Sequence, residues 1–436
     1  MKQRYDSYKP SGIDWIGEIP SHWNMCRIKD CFFLKTGTTP KGFDKPINDD
    51  EINWFTPSDI ESTGSILISA ERKLSKILID QEGISVYPKR SLIFVGIGAT
   101  AGKLGYAEVE GYSNQQITAL IPKNVCSKFY FYYLCQDSKR VRDNASYTTL
   151  PIINNSYLSQ VYWVMPPLTE QEAIAAWLDE KCGEIDAAII KVNREIELID
   201  ELKQSEISRV VTHGLNPDAP LRPSGIDWIG EIPEHWDSCR LKHKATITLG
   251  KMLMSECPKG QETLYTKEKY LKSRNIGWLK LDLNEVEEMW FNVSEKELYE
   301  LHNNDIVVNE GGEIGKVAIW TGNNTPHYIQ NSVHKVSLNI GSSRFFMYWL
   351  FCLSKNNYFW SIVSQVSIAH LTKEKLSNAP ILFPPPTEQQ AIADFLDKRC
   401  AEIDGLKAKL IKKRDTLKEL RQSIISEVVT GKRKVI

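Results

Sequence analysis

Two groups of polar side chains in this chain have the chemistry that contacts nucleic acid. Arginine and lysine donate hydrogen bonds to guanine edges, and asparagine and glutamine pair with adenine edges. Lysine amines and serine or threonine hydroxyls also reach backbone phosphates. The candidates in the first half of the sequence are Lys35, Thr36, Thr38, Thr39, Lys41, Ser58, Lys103, Asn114 and Gln115. Those in the second half are Lys251, Ser273, Arg274, Asn275, Lys316, Asn331 and His334.

A glycine-rich turn followed by lysine occurs in each half, at 98–103 and at 311–316. The first resembles a nucleotide-binding P-loop, but Ile97 stands where that loop has glycine. Leu104 also replaces the hydroxyl residue that would hold magnesium. The second turn departs from the pattern as well. Two interpretations stay open for Lys103 and Lys316: a structural turn between strands, or a lysine that contacts a DNA phosphate.

The sequence contains no recognisable catalytic centre. A DNA amino-methyltransferase needs Asn or Asp before Pro-Pro and an aromatic residue after it, and neither 166–167 nor 384–386 meets this requirement. Pro217-Asp218 is not followed by the Glu-x-Lys of a metal-dependent nuclease. The 8 histidines lack an H-x-x-x-H pair, and the 9 cysteines lack C-x-x-C spacing. We therefore expect no catalytic residue, no cofactor and no metal.

The chain contains two copies of one unit. The segment at 10–20, Pro-Ser-Gly-Ile-Asp-Trp-Ile-Gly-Glu-Ile-Pro, returns unchanged at 223–233. The phrase Pro-Pro-Leu-Thr-Glu-Gln at 166–171 returns as Pro-Pro-Thr-Glu-Gln at 385–389, and most of the intervening sequence differs. Two copies that share their repeated segments but differ in the sequence between them predict a pseudo-two-fold molecule. The target of such a molecule has two different halves and is most commonly DNA.

A long helix is predicted after the second phrase of each copy, opened by a capping box at Thr169 and at Thr387. Apolar residues then recur at intervals of three and four, which is a heptad seam. They are Cys182, Ile185, Ile189, Val192, Ile196 and Ile199, then Ile403, Leu406, Leu410, Leu417, Leu420 and Ile424. We predict an antiparallel pair, because the second helix must return along the first. Each helix has about 44 residues and a length on the order of 65 Å, with Gly214 and Gly431 as stops.

The regions at roughly 24–165 and 237–384 contain short β-branched runs between turn residues. An aromatic segment follows in each, at 129–134 and 345–351, and predicts a buried helix against a sheet. The predicted fold class is α+β. It comprises two mixed α/β domains, an antiparallel two-helix coiled-coil spacer and a pseudo-two-fold internal repeat.

The composition is that of an ordinary globular protein, with 42% apolar and 25% charged residues. The length of 436 residues allows two or three domains. A formal net charge of -1 means that a DNA-binding surface must be a local patch or be completed by partner subunits. The sequence has no signal-peptide pattern and no membrane-spanning run, so we expect a cytoplasmic protein without membrane contact.

Several of these features together resemble the specificity subunit of type I restriction-modification systems. They are the Trp-x-Gly-x-x-Pro-x-x-Trp segment, the Ile-Gly-Lys turn, the Pro-Pro-x-Thr-Glu-Gln helix opening and the duplication of the whole unit. The resemblance spans nearly the full chain. Departures are the extra proline in 383–386, and Ala101 where the second copy has Ile314.

The resemblance implies a non-catalytic subunit with two target-recognition domains, each reading half of a bipartite site in double-stranded DNA. It also implies two methyltransferase subunits and restriction/translocase subunits as partners. The expected division is a first recognition domain with its repeated N-terminal segment (1–168), a central spacer helix (169–213), a second recognition domain (214–386) and a C-terminal spacer helix (387–436). Because the recognition regions have diverged, we predict an asymmetric site.

Two other functions stay open from the residues alone. One is a coiled-coil scaffold that organises proteins without touching DNA. The other is a solitary DNA-binding regulator, which would bind its site without partners and with a strong dependence on salt.

Overall fold

The computed structural model describes residues 3–41, 43, 50–143, 146–147, 151–226, 228–322, 325–363 and 369–435. The chain forms two compact units. The first consists of Met1–Asn193 together with Lys412–Ile436, and the second consists of Arg194–Ile411. Each unit therefore contains a segment of both long helices.

The first unit combines short strands and helices with a 3₁₀ turn at Pro57–Asp59. Its strands are β1 (Tyr8–Pro10), β2 (Glu18–Pro20), β3 (Asn24–Arg27), β4 (Phe32–Thr36), β5 (Glu51–Phe55), β6 (Ser65–Leu67), β7 (Lys73–Ser75), β8 (Leu92–Val95), β9 (Leu104–Ala107), β10 (Gly111–Ser113), β11 (Ile117–Pro122), β12 (Ser146–Tyr147), β13 (Pro151–Ile152) and β14 (Tyr162–Met165). The main sheet has the order β4-β11-β8-β9-β6, and a smaller sheet has the order β10-β5-β7. The helices of this unit are α1 (Ile28–Cys31), α2 (Lys76–Gln81), α3 (Ser127–Asp143), α4 (Asn155–Gln160) and the start of α5 (Leu168–His213).

The second unit has 3₁₀ turns at Leu241–His243 and Ser273–Asn275. Its strands are β15 (Leu221–Pro223), β16 (Glu231–Pro233), β17 (Asp237–Arg240), β18 (Ala245–Leu249), β19 (Tyr265–Leu271), β20 (Glu287–Asn292), β21 (Ile306–Asn309), β22 (Val317–Ile319), β23 (Tyr328–Ile329), β24 (Val333–Leu338) and β25 (Pro380–Phe383). Its helices are α6 (Val293–Tyr299), α7 (Ser343–Lys355), α8 (Tyr358–Ile362), α9 (Lys373–Ser377) and the start of α10 (Pro386–Val429). The sheet β18-β24-β21-β22 repeats the order β4-β11-β8-β9 of the first unit.

The central strand of the first sheet separates two apolar cores. Successive side chains of a strand point to opposite faces. Leu92 and Phe94 accordingly pack with the aromatic residues of α3, whereas Ile93 and Val95 pack with Phe55 and its neighbours. Because both faces are covered, all four residues of β8 are buried. The predicted burial of the aromatic segments as helices against a sheet is confirmed in α3 and α7.

Both long helices are confirmed, with 46 residues in α5 and 44 in α10. They begin one residue before the predicted threonines. The carbonyl of Pro167 accepts the N–H of Gln171 at 3.0 Å, and Pro385 does the same for Gln389. Within the described chain neither threonine hydroxyl makes a capping hydrogen bond, so the predicted capping boxes are not formed. Both threonines lie inside the first turn, where their own backbone is already helical. Glycines with φ near +75° follow the helices, at Gly214 (+76°) and Gly431 (+73°).

The long helices run antiparallel in each unit. In the second unit, Lys203 binds Asp404 at 2.7 Å and Lys407 binds Asp200 at 2.6 Å. Residue numbers therefore increase along α5 in the direction in which they decrease along α10. In the first unit, Arg421 binds Asp186 at 2.8 Å. The mixed α/β content, the antiparallel helices and the internal repeat confirm the predicted fold class.

Candidate nucleic-acid interface

In the first unit, hydrogen bonds tie together loops from separate parts of the sequence. The Gly37 N–H donates to the Ile117 carbonyl at 3.1 Å, which joins the loop after β4 to the start of β11. The Asn114 N–H donates to the Phe55 carbonyl at 3.1 Å, which joins the loop before β11 to the end of β5. The candidate residues of the first half are thereby gathered from across the sequence.

Hydroxyl and amide side chains cover this loop cluster. The Thr38 hydroxyl lies 3.0 Å from the Tyr112 hydroxyl, and Thr39 donates to Oε1 of Gln115 at 2.7 Å. Thr36, Thr38, Thr39 and Gln115 are exposed, whereas Asn114 is half-buried. Such side chains can exchange hydrogen bonds with base edges once a partner displaces their present contacts.

Lys35, in β4, and Lys41, in the loop that follows it, are both held by the segment after α2. Nζ of Lys35 donates to the Ser85 carbonyl at 3.0 Å. The backbone N–H of Lys41 donates to Glu82 at 3.0 Å, and the Lys41 side chain is exposed. Lys41 is therefore the freer of the two cations.

Lys103 has a positioning contact. Its ammonium donates to the carbonyls of Ile60 and Glu61, both at 2.9 Å. Ser58, which is exposed, lies just before these carbonyls and forms a 2.7 Å hydrogen bond with Thr56. Lys103 thus joins the glycine turn to the 3₁₀ turn that carries Ser58, as expected of a structural turn.

The second unit repeats the scheme. The Gly250 N–H donates to Val333 at 3.0 Å, and the Gln330 N–H donates to Leu271 at 3.0 Å. Ser273, on the equivalent 3₁₀ turn, donates from its hydroxyl to the Gly311 carbonyl at 3.0 Å. The same frame therefore supports different side chains in the two units.

Two candidates of the second unit are buried in this frame. Lys251 is 5% exposed and Asn275 is 3% exposed. The Lys251 ammonium forms an ion pair with Glu295 and lies 5.2 Å from the ring centroid of Phe291. The Asn275 amide donates to the Asp282 carbonyl at 3.0 Å. Both side chains hold loops together and offer little surface to a ligand.

His334 lies wholly inside the second unit, with 0% exposure. Its Nε2 is 2.6 Å from the Leu371 carbonyl, and its Nδ1 is buried without a partner among the described residues. Burial lowers the pKa of His334 to about 4. The ring is therefore neutral near pH 7, and it supports the loop at Leu371.

Arg274 remains accessible, with a side chain that is 48% exposed. It lies 3.4 Å from Glu285 and 3.3 Å from Glu287. Hydrogen bonds from Lys272 and Tyr270 hold the pKa of the Glu287 carboxyl below its usual range. Lys316 is paired with Glu313, and Asn331 accepts a hydrogen bond from Gln330. DNA would therefore have to compete with carboxylates for Arg274 and for Lys316.

The repeated N-terminal segment is joined to the long helix through a carboxylate whose role the sequence did not reveal. Glu170 accepts hydrogen bonds from Trp23 Nε1 at 3.0 Å and Tyr5 OH at 3.1 Å, and it lies 2.6 Å from His22 Nε2. In the second unit, Glu388 contacts His235 and Trp236 in the same way. The signal was present, since His-Trp and Glu-Gln recur together in both copies.

The aromatic helices are also bonded to the long helices. The Tyr132 hydroxyl donates to Asp179 at 2.6 Å in the first unit. The Tyr348 hydroxyl donates to Asp397 at 2.8 Å in the second. Each recognition region is therefore fixed to its helices by polar contacts with defined geometry as well as by apolar packing.

Both long helices carry exposed apolar residues. Leu406 and Leu420 belong to the predicted seam, whereas Ile190, Leu198 and Leu202 lie outside it. In the second unit, Leu406 is 50% exposed, Leu198 46% and Leu202 45%. In the first unit, Ile190 is 69% exposed and Leu420 46%. Leu198 and Leu202 are four residues apart and therefore share one face of α5. Exposed apolar residues that share a face are typical of a protein-binding surface.

Within the described residues, no group of three or more His, Cys, Asp or Glu side chains could hold a metal ion. In the same part of the chain, no helix combines the length and the apolar character needed to cross a membrane.

Comparison with known proteins connects these features to one family. The family model described as the type I restriction modification DNA specificity domain matches the chain twice, at residues 20–198 and 235–413. The type I restriction enzyme MjaVIII specificity subunit of Methanocaldococcus jannaschii is 24% identical, covering 96% of this chain and 94% of that protein. The putative MjaX specificity subunit of the same organism is 26% identical, covering 96% of each.

Solved structures share the fold. A chain from work on complex assembly and conformational transition of the type I R-M system matches with a TM-score of 0.71 at 15% identity, covering 94% of this chain and 98% of that one. The HsdS subunit from Thermoanaerobacter tengcongensis matches with a TM-score of 0.51 at 17% identity, covering 95% and 98%.

Proposed function

This chain belongs to the type I restriction-modification DNA specificity family, and we propose that it reads an asymmetric, bipartite site in double-stranded DNA. The observation that carries the proposal is the loop frame built twice with different side chains. On the equivalent 3₁₀ turns, Pro57–Asp59 and Ser273–Asn275, one frame carries the exposed Ser58 and the other the exposed Arg274. Different side chains on one frame favour different bases.

The chain is a non-catalytic recognition subunit. Its partners are two methyltransferase subunits, which methylate the DNA, and restriction/translocase subunits, which cleave it. The exposed apolar residues of α5 and α10 support docking of methyltransferase subunits on the long helices. We place this assembly in the cytoplasm.

The proposed division of labour follows the repeat. Residues 1–168 and 214–386 recognise DNA, and the helical segments 169–213 and 387–436 act as spacers. A helix of 46 residues is about 69 Å long. That length limits the separation of the half-sites to at most about two turns of DNA, each turn being roughly 34 Å.

The proposed DNA contacts are the candidates with accessible side chains. In the first region they are Lys35, Thr36, Thr38, Thr39, Lys41, Ser58, Asn114 and Gln115, and in the second region they are Ser273, Arg274, Lys316 and Asn331. Lys103, Lys251, Asn275 and His334 support the loops, because their polar atoms are already bound inside the protein.

Methylome sequencing tests the proposal directly. A strain that carries this subunit with its methyltransferase should methylate a motif of two unequal half-sites with a fixed gap. A continuous palindromic motif would contradict the proposed asymmetry. A DNA mobility-shift assay of the purified complex tests the scaffold alternative, which requires no DNA binding.

Exchange of the recognition regions provides a second test. Replacing residues 24–165 with the corresponding region of another family member should change only one half-site of the methylated motif. Replacement of 237–384 should change only the other half-site and serves as the matched control.

A further inference from the structure

We propose that the first recognition region binds a phosphate of the DNA backbone in a cavity between its glycine turn and the end of α3. The inference rests on the proposed function and assigns one site within it. The turn at 98–103 stands out in the sequence, whereas the cations that α3 brings to it do not.

The cavity is small and lies between two elements of the first unit. Its volume is about 210 Å³, and its walls are Thr63, the turn Ala99–Lys103, and Ser138, Lys139 and Arg142 of α3. These segments are far apart in the sequence and meet because α3 packs against the sheet that carries the turn. The cavity therefore exists only in the folded unit.

The lining suits an anion. It contains three cationic side chains, Lys103, Lys139 and Arg142, and no carboxylate. Hydroxyl groups come from Thr63, Thr100 and Ser138. By contrast, a larger cavity of about 580 Å³ in the same unit includes Glu108, Glu172 and Asp179 in its lining. Phosphate oxygens bind cations and hydroxyl donors, and carboxylates repel them.

Two of the three cations have no partner within the described chain. The Lys103 ammonium is held by the carbonyls of Ile60 and Glu61. Among the described residues, neither Lys139 nor Arg142 forms an ion pair or a hydrogen bond. The Lys139 side chain is exposed. Nε of Arg142 is moreover buried without an acceptor. A buried donor without an acceptor is unfavourable, and a phosphate oxygen would satisfy it.

Glycine at position 102 allows the helix end to approach the turn. Gly102 has φ of +92°, a conformation that favours glycine. A Cβ atom at this position would lie 3.2 Å from Cβ of Arg142. The glycine therefore brings the guanidinium stem against the turn, where backbone and cation face the same cavity.

The equivalent place in the second unit has no free cation of this kind among its described residues. Lys316 is paired with Glu313. The ammonium of Lys355, which stands one residue after Ser354 as Lys139 stands after Ser138, lies 3.7 Å from the ring centroid of Trp278. The phosphate site thus belongs to the first region, and Lys355 offers a matched control.

The test compares DNA affinity across salt concentrations for the full chain in complex with its methyltransferase subunits. The variants are K139A/R142A, with K355A as control, on duplexes that contain or lack the recognised site. Losing one phosphate contact should lower the slope of log affinity against log salt by about 0.9 and weaken binding about tenfold at 0.1 M salt. Both duplexes should be affected alike, because a phosphate contact carries no sequence information.

R142K separates charge from folding. It should retain most of the salt dependence, whereas R142Q should lose part of it, and the thermal midpoints of both variants should match the wild type. An unchanged slope in K139A/R142A, or a loss confined to the cognate duplex, would overturn the phosphate site. Failure of the wild-type complex to bind any duplex would instead overturn the proposed function.

A free phosphate compound could use the same chemistry. Titration with inorganic phosphate and with ATP distinguishes this source from DNA. If K139A/R142A abolishes binding of either compound while the DNA salt slope is unchanged, the site does not bind the DNA backbone. Competition of phosphate with DNA in the wild type, absent in the variant, supports the proposal.

Discussion

The indole Nε1 of Trp23 donates a hydrogen bond to Oε2 of Glu170 at 3.0 Å. Trp23 follows the repeated N-terminal segment and is fully buried, and Glu170 lies in the first turn of α5. The bond fixes the start of the long helix to the recognition region of the first unit. Trp236 and Glu388 repeat it at 3.1 Å in the second unit.

The Glu170→Ala variant should lower the free energy of unfolding by about 2–4 kcal/mol, since Trp23 Nε1 and Tyr5 OH would both lose a buried acceptor. Urea denaturation of the full chain measures this change. The exposed neighbour Glu172 supplies the control, and E172A should stay within about 0.5 kcal/mol of wild type. If E170A lowered the free energy of unfolding no more than E172A does, the joint would contribute little stability.

Gly37 and Gly250 each allow the backbones of two loops of the candidate interface to lie in close contact, and alanine substitutions test this contact. A Cβ at Gly37 would overlap the carbonyl oxygen of Ser113, and one at Gly250 would overlap that of Gln330. G37A and G250A should therefore displace the loops and weaken DNA binding at least tenfold in a mobility-shift assay, with a stability loss of about 1–3 kcal/mol. Gly183, in α5, has open space around it, because a Cβ there would meet no atom within 4 Å. G183A should stabilise the chain by roughly 0.5–1 kcal/mol.

His334 should make the second unit sensitive to acid. Burial lowers its pKa from 6.5 to about 4, so the unfolded chain binds the proton first as the pH falls. Above pH 6.5 the ring is neutral in both states and the free energy of unfolding is not affected. As the pH falls from 6.5 towards 4, protonation of the unfolded chain lowers the free energy of unfolding by about 3 kcal/mol. Urea denaturation from pH 7.5 to 4 should show this loss in wild type and not in H334Q. H243Q, at an exposed histidine, should retain the wild-type profile.

Arg274 should contribute to one half-site only. R274A removes an exposed cation from the second loop cluster and should weaken discrimination at one base pair by about 1–3 kcal/mol. Methylome sequencing should then show a relaxed base in one half of the motif and an unchanged other half. K242A is the control, because Lys242 binds Asn378 outside the cluster. Relaxation of both halves would contradict the assignment of Arg274 to one recognition region.

The exposed leucines of α5 should bind the methyltransferase subunits. L202E places a charge on a residue that is 45% exposed, so it should reduce assembly at least tenfold without lowering the stability of the isolated chain. Size-exclusion chromatography with the methyltransferase measures assembly. L221E, at a leucine with 46% exposure outside the long helices, should assemble normally, and equal loss in both variants would indicate a nonspecific effect.

The sequence by itself determined the repeated architecture. The segments at 10–20 and 223–233 are identical, and both long helices follow from local signals, namely prolines at their starts, heptad spacing and terminal glycines. Such signals lie within a few residues of each other, so they can be recognised without knowledge of the fold. The family resemblance depended on the same local phrases and their duplication.

Only the tertiary structure decided which candidate side chains are available to a ligand. His334 is buried and bound to the Leu371 carbonyl. Lys251 is buried in an ion pair with Glu295. The Lys103 ammonium is bound to the Ile60 carbonyl. The cations at Lys139 and Arg142 were overlooked because α3 brings them to the glycine turn from a distant part of the sequence. Residue type indicates what a side chain can bind, whereas burial and occupancy depend on partners that only folding brings within reach.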